Sequence, residues 1–189
     1  MPSPGLTIDK VVDAALDLMR EEGDKALSMS ALARRLGVKP PSLYNHVKGV
    51  DDLKRAMRLS GLRTLHQHLQ AAVVGWSGPD ALWAAGQAYR TFAREHPALY
   101  SLTLAATEEA DEELQAAGQQ LLTTLMAMLR GYRLEGDAAL HAIRCLRSAL
   151  HGFVSLEIGG GFAMPLDLDE SFDRLLRMLD QSFRAEGSN

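Results

Sequence analysis

The 189 residues predict an all-α protein, and three observations support this fold class. Apolar residues recur three and four positions apart along most of the chain, which is the spacing of one face of an α-helix. Glycine and proline separate these stretches at points where helices begin or end. No stretch of useful length alternates apolar and polar residues as a half-buried strand does. We therefore expect an N-terminal three-helix unit followed by a larger C-terminal helical bundle.

The first three predicted helices are short and closely spaced. Thr7 is suited to cap the first helix and Gly23 to end it, and Ser28 is suited to cap the second. Gly37 supplies the left-handed residue that ends the second helix. Two prolines follow Lys39, so the third helix is predicted over residues 41–47. Two short helices joined by a tight glycine turn form a helix-turn-helix arrangement.

Six further helices are predicted after this unit. They lie in order over residues 51–74, 80–95, 97–104, 114–130, 138–158 and 168–184. Proline opens the second and third of them, a residue suited to the first helical turn because it has no N–H. Residues 105–113 carry five carboxylates and are predicted to form a loop that runs into a helix start, with a solvated acidic face. Asp167 or Asp169 is suited to cap the last helix.

The third predicted helix carries side chains with recognisable binding chemistry. Leu43 shares a face with Val47, and both are expected to pack onto the second helix. The side chains left pointing outward are those of Ser42, Tyr44, Asn45 and His46. Their hydroxyl, amide and ring groups have the size and hydrogen-bonding capacity to reach base edges and phosphates in a DNA major groove. A solvated polar face is the alternative interpretation.

The distribution of charge favours the DNA-contact interpretation. Residues 25–63 hold nine basic residues and two aspartates, a net charge of +7, although the whole chain has a formal net charge of −4. Basic side chains near phosphates release condensed counterions, so a polyanion is the expected partner of this segment. Within it we assign Arg34, Lys39 and Lys48 to DNA contact.

The composition is that of a soluble globular protein. Apolar residues make up 47% of the chain and charged residues 23%. Cys145 is the only cysteine, which excludes an internal disulfide. No apolar run approaches the roughly 20 residues that cross a bilayer, and the N-terminus lacks the basic and apolar regions of a signal peptide. We expect a cytoplasmic protein.

Three segments in order carry a resemblance to a known family. They are Ala-Ala-Leu-Asp-Leu-Met-Arg-Glu-Glu-Gly at 14–23, Met-Ser-Ala-Leu-Ala-Arg-Arg-Leu-Gly-Val at 29–38 and Ser-Leu-Tyr-Asn-His-Val-Lys at 42–48. About fifty residues, from 7 to 57, resemble the N-terminal DNA-binding domain of the TetR family of bacterial transcriptional regulators. The resemblance implies base or phosphate contacts for Ser42, Tyr44 and His46, and a phosphate contact for Lys48. It also implies a dimer that represses transcription on a near-palindromic operator until a small molecule changes the spacing of its two heads.

Two later segments, 92–100 and 149–157, resemble a TetR subgroup whose C-terminal domain is named for Trp, His and Gly. His151 and Gly152 are present here, but no tryptophan lies near them. The resemblance implies a mostly apolar pocket for a small effector. The candidate lining residues are Trp83, Tyr89, Phe92, Tyr100, Leu121, Leu125, Met128, His151 and Phe153. Core packing is the alternative interpretation of all nine.

The predicted protein is a DNA-binding regulator in which residues 1–50 read DNA and residues 51–189 serve dimerisation and ligand sensing. Its expected partners are an operator duplex, an unidentified effector and a second copy of the chain, without a membrane, cofactor or metal. The dimer is predicted through residues 138–158 and 168–184, with Gly152 allowing close approach. Glutamate at Leu150 and Leu176 is expected to give monomers. The alternative is a small-molecule-binding or catalytic helical bundle whose head no longer reads DNA.

An enzyme is not expected. Cys145 is a possible nucleophile, and His141 lies one helical turn before it, so the pair also supplies two of the four ligands of a zinc site. Neither interpretation has a third member at a useful spacing. A buried structural cysteine is therefore the prediction for Cys145.

Overall fold

The computed structural model describes residues 5–104 and 111–188. These ranges contain nine α-helices, two short 3₁₀ turns and no strand, which confirms the all-α class. The helices are α1 Ile8–Glu22, α2 Met29–Leu36, α3 Pro40–Leu43, α4 Val50–Val73, α5 Pro79–Glu95, α6 Pro97–Thr103, α7 Glu112–Leu129, α8 Gly136–Ile158 and α9 Leu168–Glu186. Of the predicted acidic loop, residues 105–110 lie outside the described ranges. No helix in the described part of the chain is long and apolar enough to cross a membrane.

The chain divides into two compact units. The first comprises the residues up to 62 together with 98–114, and the second comprises 63–97 and the residues from 115 onward. Helices α4 and α7 therefore contribute residues to both units. The sequence-based boundary at residue 50 separates a predicted DNA-reading part from a predicted dimerisation and ligand-sensing part. It does not coincide with the division into compact units, and this assignment of functions remains a prediction.

The core of the first unit is built from the apolar faces that the sequence indicates. Its buried side chains come from α1, α2, α3, the start of α4 and the connecting segments. Ala98 and Leu102 of α6 pack against the same core, although they are far away in sequence. This packing makes α6 part of the helix-turn-helix unit, which the spacing of apolar residues along the chain does not reveal.

The predicted caps of the first two helices are present. The Thr7 side chain accepts a hydrogen bond from the Lys10 backbone N–H, and the Ser28 side chain accepts one from the Ala31 N–H. Gly37 has a φ of 66°, a left-handed conformation that glycine adopts without steric cost. Each helix thus begins and ends where its sequence specifies.

Helix α3 is shorter than predicted and begins one residue earlier. It starts at Pro40 because only Lys39 takes the extended conformation that a following proline favours. After Leu43 the chain forms a turn, in which the His46 and Val47 backbone N–H groups both donate to the Leu43 carbonyl. Residues 44–47 therefore follow the helix as a bonded turn instead of extending it.

In the second unit, α5 packs against α8 and α9, and α8 packs against α9. Leu176 of α9 lies so close to Gly86 of α5 that a Cβ atom built on that glycine would be 2.7 Å from a Leu176 methyl carbon. Asp167 caps α9 through hydrogen bonds from the Asp169 and Glu170 backbone N–H groups. Glycine at position 86 therefore permits close approach of α5 and α9.

Two expectations about the last two helices are wrong. Leu150 and Leu176 are 3% and 0% exposed and face the chain's own core, so glutamate there would disrupt the fold before it tested an interface. Cys145 is exposed on α8, so it is not a buried structural cysteine.

Candidate nucleic-acid interface

The helix-turn-helix presents its third helix and the following turn to solvent. Leu32 and Ala33 of α2 are buried, as are Leu43 and Val47 on either side of the turn. These apolar side chains hold α3 against α2. Tyr44, between the two buried positions of the turn, has 54% of its surface exposed.

The seven side chains assigned to DNA contact are all accessible to some degree. Exposed side chains belong to Arg34, Lys39, Tyr44, Asn45 and Lys48. Ser42 and His46 are half-buried, because each lies next to a buried apolar residue. The seven come from α2, α3 and the segments that flank α3, and their role in DNA contact remains a prediction.

Arg35 is a basic residue of the positive segment that a carboxylate already neutralises. Its two terminal nitrogens each donate to one oxygen of Glu21, at 2.7 Å, and Asp17 lies 3.8 Å away. The hydrogen bond from Arg35 lowers the pKa of the Glu21 carboxyl group. This ion pair links α2 to α1, so we assign Arg35 a structural role in the first unit and not a DNA contact.

Arg55 near the start of α4 is neutralised in the same way. Its Nε and one terminal nitrogen donate to the two Asp111 oxygens at 2.6 and 2.8 Å, and the same terminal nitrogen lies 2.8 Å from Glu113. The hydrogen bond from Arg55 lowers the pKa of Asp111, whose carboxylate also accepts from the Leu114 backbone N–H. The expectation of a solvated acidic face is therefore wrong for Asp111, whose side chain is only 16% exposed.

Because Arg35 and Arg55 are neutralised by carboxylates, the cations that remain available to a polyanion are those without such a partner. Within the described ranges, Arg34, Lys39 and Lys48 have no carboxylate within ion-pair distance of their side chains. All three are exposed and lie close in sequence to α3. Unneutralised positive charge thus lies close in sequence to α3 and to the turn that exposes Tyr44, an arrangement suited to contact with a phosphate backbone.

The nine candidate lining residues of the C-terminal region are distributed unevenly. Tyr100 belongs to the first compact unit, whereas the other eight belong to the second. Tyr89, Phe92 and Met128 are buried, and the remaining five of the second unit are half-buried. His151 forms a hydrogen bond with Ser155 on its own helix, between Nδ1 and Oγ at 3.2 Å. Whether any of them contacts an effector remains a prediction.

Arg90 is a buried charged residue that the sequence did not lead us to assign to any site. Its side chain is 5% exposed and donates two hydrogen bonds to Glu157 of α8, at 2.8 and 2.6 Å. A third nitrogen lies 2.7 Å from Asp169 of α9, and the guanidinium lies 4.9 Å from the centre of the Phe172 ring. The hydrogen bond with Glu157 raises the pKa of Arg90 above its ordinary value. In the sequence, the only sign of this buried ion pair is that Arg90 falls on the apolar face of α5.

Two half-buried histidines of the second unit, His68 and His96, were not assigned to any site from the sequence. The ring centres of His68 and His96 each lie within 6 Å of the Phe92 ring, at 5.8 and 5.5 Å. No three His, Cys, Asp or Glu side chains in the described ranges are grouped so that they could hold a metal ion. Phe92, a candidate lining residue, therefore packs against two imidazole rings and is fully buried.

The first three helices and their shared core define a helix-turn-helix protein, the class to which many DNA-binding regulators belong. Residues 11–57 match the family model described as bacterial regulatory proteins of the tetR family, and residues 82–179 match a tetracycline repressor-like C-terminal domain. A helix-turn-helix-type transcriptional regulator of Mycobacterium tuberculosis is 37% identical over 92% of this chain and 80% of its own. One from Bacillus subtilis is 34% identical over 93% of this chain and 92% of its own.

Solved structures share the fold. A TetR variant from Acinetobacter baumannii in complex with minocycline has a TM-score of 0.74 at 22% identity, covering 97% of this chain and 99% of its own. The Streptomyces coelicolor TetR family protein ActR in complex with (S)-DNPA has a TM-score of 0.69 at 20% identity, covering 97% and 100%. The chain belongs to the TetR family and is a DNA-binding transcriptional regulator, not an enzyme.

Proposed function

We propose that the protein is a repressor that occupies a near-palindromic operator as a two-fold dimer and leaves it when a small, mostly apolar effector binds. The observation that carries the proposal is the surface around α3. There an exposed Tyr44 lies among cations that no carboxylate of the described residues neutralises. Such a surface combines hydrogen-bonding groups for bases with positive charge for phosphates. Binding to the chromosome would place the protein in the cytoplasm.

The proposed dimer uses the outer faces of α8 and α9. Leu156 and Met178 are 51% and 67% exposed there, and a Cβ built on Gly152 would meet nothing within 4 Å. An exposed group of large apolar side chains on a soluble chain favours a protein contact. One helix-turn-helix reads too few base pairs for tight binding, whereas a two-fold pair reads two half-sites.

Selection of bound duplexes from a random library tests the operator proposal directly. The expected result is an inverted repeat whose half-sites lie about one helical turn of DNA apart, or a multiple of it. Recovery of sequences without a common half-site would contradict sequence-specific binding. Placing the selected repeat in front of a reporter gene separates repression from activation, since a repressor lowers the reporter's expression.

Two substitutions test which side chains contact the operator. Tyr44→Ala is expected to weaken binding to the selected duplex by about 1–3 kcal/mol without loss of fold, because it removes a base-reading group. Lys48→Ala should weaken binding to all sequences and reduce the salt slope of log K by about one unit, because one phosphate contact is lost. Both are measured by fluorescence anisotropy over a range of salt concentrations.

Lys10→Ala is the matched control for Lys48→Ala. It removes the same charge from α1, where the Lys10 ammonium donates to the Gly5 carbonyl at 3.0 Å. A salt slope that falls equally for Lys10 and Lys48 would show a general effect of net charge. An unchanged slope for Lys48→Ala together with unchanged affinity for Tyr44→Ala would mean that this surface does not face DNA.

The effector proposal is supported by the side chains that α5, α7 and α8 contribute to the second unit. Trp83, Leu121, Leu125 and Phe153 are half-buried, so they offer apolar surface that the chain itself does not fully cover. Two proteins of the same fold have been crystallised with small molecules, minocycline in one and (S)-DNPA in the other. A ligand lowers DNA affinity only by its different affinity for the two dimer shapes, typically by about 1–3 kcal/mol.

Leu125→Trp tests for a cavity among these helices. In a cavity the indole fills free space, so binding of the amphiphilic dye anilinonaphthalene sulfonate, whose aromatic rings enter apolar pockets, should fall while DNA binding and melting temperature are kept. In a well-packed core the same change would overpack and destabilise by roughly 1–3 kcal/mol. Thr123→Trp is the control, because it adds the same indole at an exposed position of α7. A lowered melting temperature with unchanged dye binding would argue for a dimerisation scaffold without a pocket.

A further inference from the structure

We propose that Asp52 is a positioning residue for DNA binding: its carboxylate fixes the turn that presents Lys48, and so increases DNA affinity although it carries a negative charge. The inference rests on the proposed contact between Lys48 and phosphate. It concerns the segment between α3 and α4, where the helix-turn-helix returns to the body of its unit.

A continuous set of hydrogen bonds runs through this segment. The His46 and Val47 N–H groups donate to the Leu43 carbonyl at 2.9 and 3.0 Å, which closes the turn after α3. The Lys48 backbone N–H then donates to Asp52 Oδ2 at 2.8 Å. Each backbone N–H group from His46 to Lys48 therefore has an acceptor, and the last acceptor is a side chain from the first turn of α4.

Buried side chains anchor both ends of this set. Val47 immediately precedes Lys48 and is 2% exposed, and Leu53 immediately follows Asp52 and is 0% exposed. The Leu53 N–H donates to the Gly49 carbonyl at 3.0 Å, so only Gly49 separates Lys48 from the start of α4 at Val50. With Val47 and Leu53 fixed in the core, the bond from the Lys48 N–H to Asp52 links the two anchored ends and constrains the Lys48 backbone between them. Lys48 itself is exposed.

A carboxylate in the first turn of α4 has two effects on DNA binding: its charge repels phosphates, and it can bond to the Lys48 N–H. Asp51 allows the two effects to be measured separately. It lies in the same first turn of α4, and repulsion of DNA phosphates by its charge should match that of Asp52. In the described part of the chain, however, its exposed side chain has no hydrogen-bond or ion-pair partner. Removing Asp51 therefore removes repulsion alone, whereas removing Asp52 removes repulsion and the bond to Lys48.

The test compares Asp51→Ala, Asp52→Ala and Asp52→Asn on the duplex selected by the wild-type protein. Asp51→Ala is expected to tighten binding about twofold, because a charge that repels phosphate is lost. Asp52→Ala is expected to weaken binding about fivefold, since losing a bond of this kind outweighs the relief of repulsion. Asp52→Asn keeps an oxygen that accepts from the Lys48 N–H and should bind at least as tightly as wild type.

A second readout links Asp52 to Lys48. If Asp52 acts through that lysine, Lys48→Ala should lose less affinity in the Asp52→Ala background than in the wild type. Tighter binding by both alanine variants would overturn the positioning role while leaving the DNA surface intact. Unchanged affinity in all three aspartate variants and in Lys48→Ala would overturn the proposed DNA contact itself. Should Asp52→Ala fail to fold, Asp52→Asn still decides, because binding weaker than wild type contradicts the role.

Discussion

Replacing Arg90 with methionine is expected to lower the free energy of unfolding by about 3–5 kcal/mol, the scale for breaking a buried ion pair. The substitution removes the guanidinium that donates two hydrogen bonds to Glu157, whose side chain is only 11% exposed. Glu157 would then be left as a charge without its partner in the interior of the second unit. Urea unfolding at fixed protein concentration measures the loss, since the proposed dimerisation would make apparent stability depend on concentration.

Two comparisons show that burial causes this effect. Arg174→Met breaks the ion pair with Glu170, but both residues lie on the exposed side of α9, so stability should change little. The double variant Arg90→Met/Glu157→Leu should regain much of the lost stability, because no buried charge remains unpaired. Equal effects of Arg90→Met and Arg174→Met would show that the pair with Glu157 is not a buried interaction in solution.

Glutamate at Leu156 and Met178 together is expected to convert the dimer to monomers and to reduce operator affinity at least about a hundredfold. The two side chains are 51% and 67% exposed in the chain, so charges there leave its core intact. In the proposed dimer the same charges would be buried without partners, at a cost that removes the contact. Affinity falls because two linked heads bind an operator far more tightly than one head.

Sedimentation velocity measures the assembly, and anisotropy on the selected duplex measures binding. Val74→Glu is the matched control, because it makes the same apolar-to-acidic change at a side chain that is 70% exposed but lies outside α8 and α9. It should remain dimeric. A Leu156/Met178 double variant that sediments like wild type would contradict the proposed interface, whatever its DNA affinity.

The choice of these positions shows how far the apolar pattern reaches. Periodicity predicted apolar stripes on α8 and α9 but not which part of each stripe meets the chain's own core. Leu150 and Leu176 proved to be internal, whereas Leu156 and Met178 are exposed. An apolar stripe can be wide enough to meet both the chain's own core and a partner chain. The pattern does not show which of these a given residue contacts, because apolar surface is buried equally well in either.

The sequence by itself determined the fold class, most helix boundaries and the outward direction of Tyr44. These features depend on residues three or four positions apart. The caps at Thr7 and Ser28 and the left-handed Gly37 are of this kind. The predicted bounds of the third helix were wrong by a few residues. Pro41 was expected to keep Pro40 out of the helix, but the helix begins at Pro40.

Only the tertiary structure decided which charges remain available. Arg35 meets Glu21 across 14 positions, Arg55 meets Asp111 across 56, and Arg90 meets Glu157 across 67. Net charge along the chain counts all basic residues of the positive segment alike, because it holds no information on such distant partners. Packing brings Glu21 and Asp111 within 3 Å of Arg35 and Arg55 and leaves Lys48 exposed, with its backbone N–H bonded to Asp52. Ion pairing between residues far apart in sequence, rather than composition, therefore sets the charge that this protein can present to DNA.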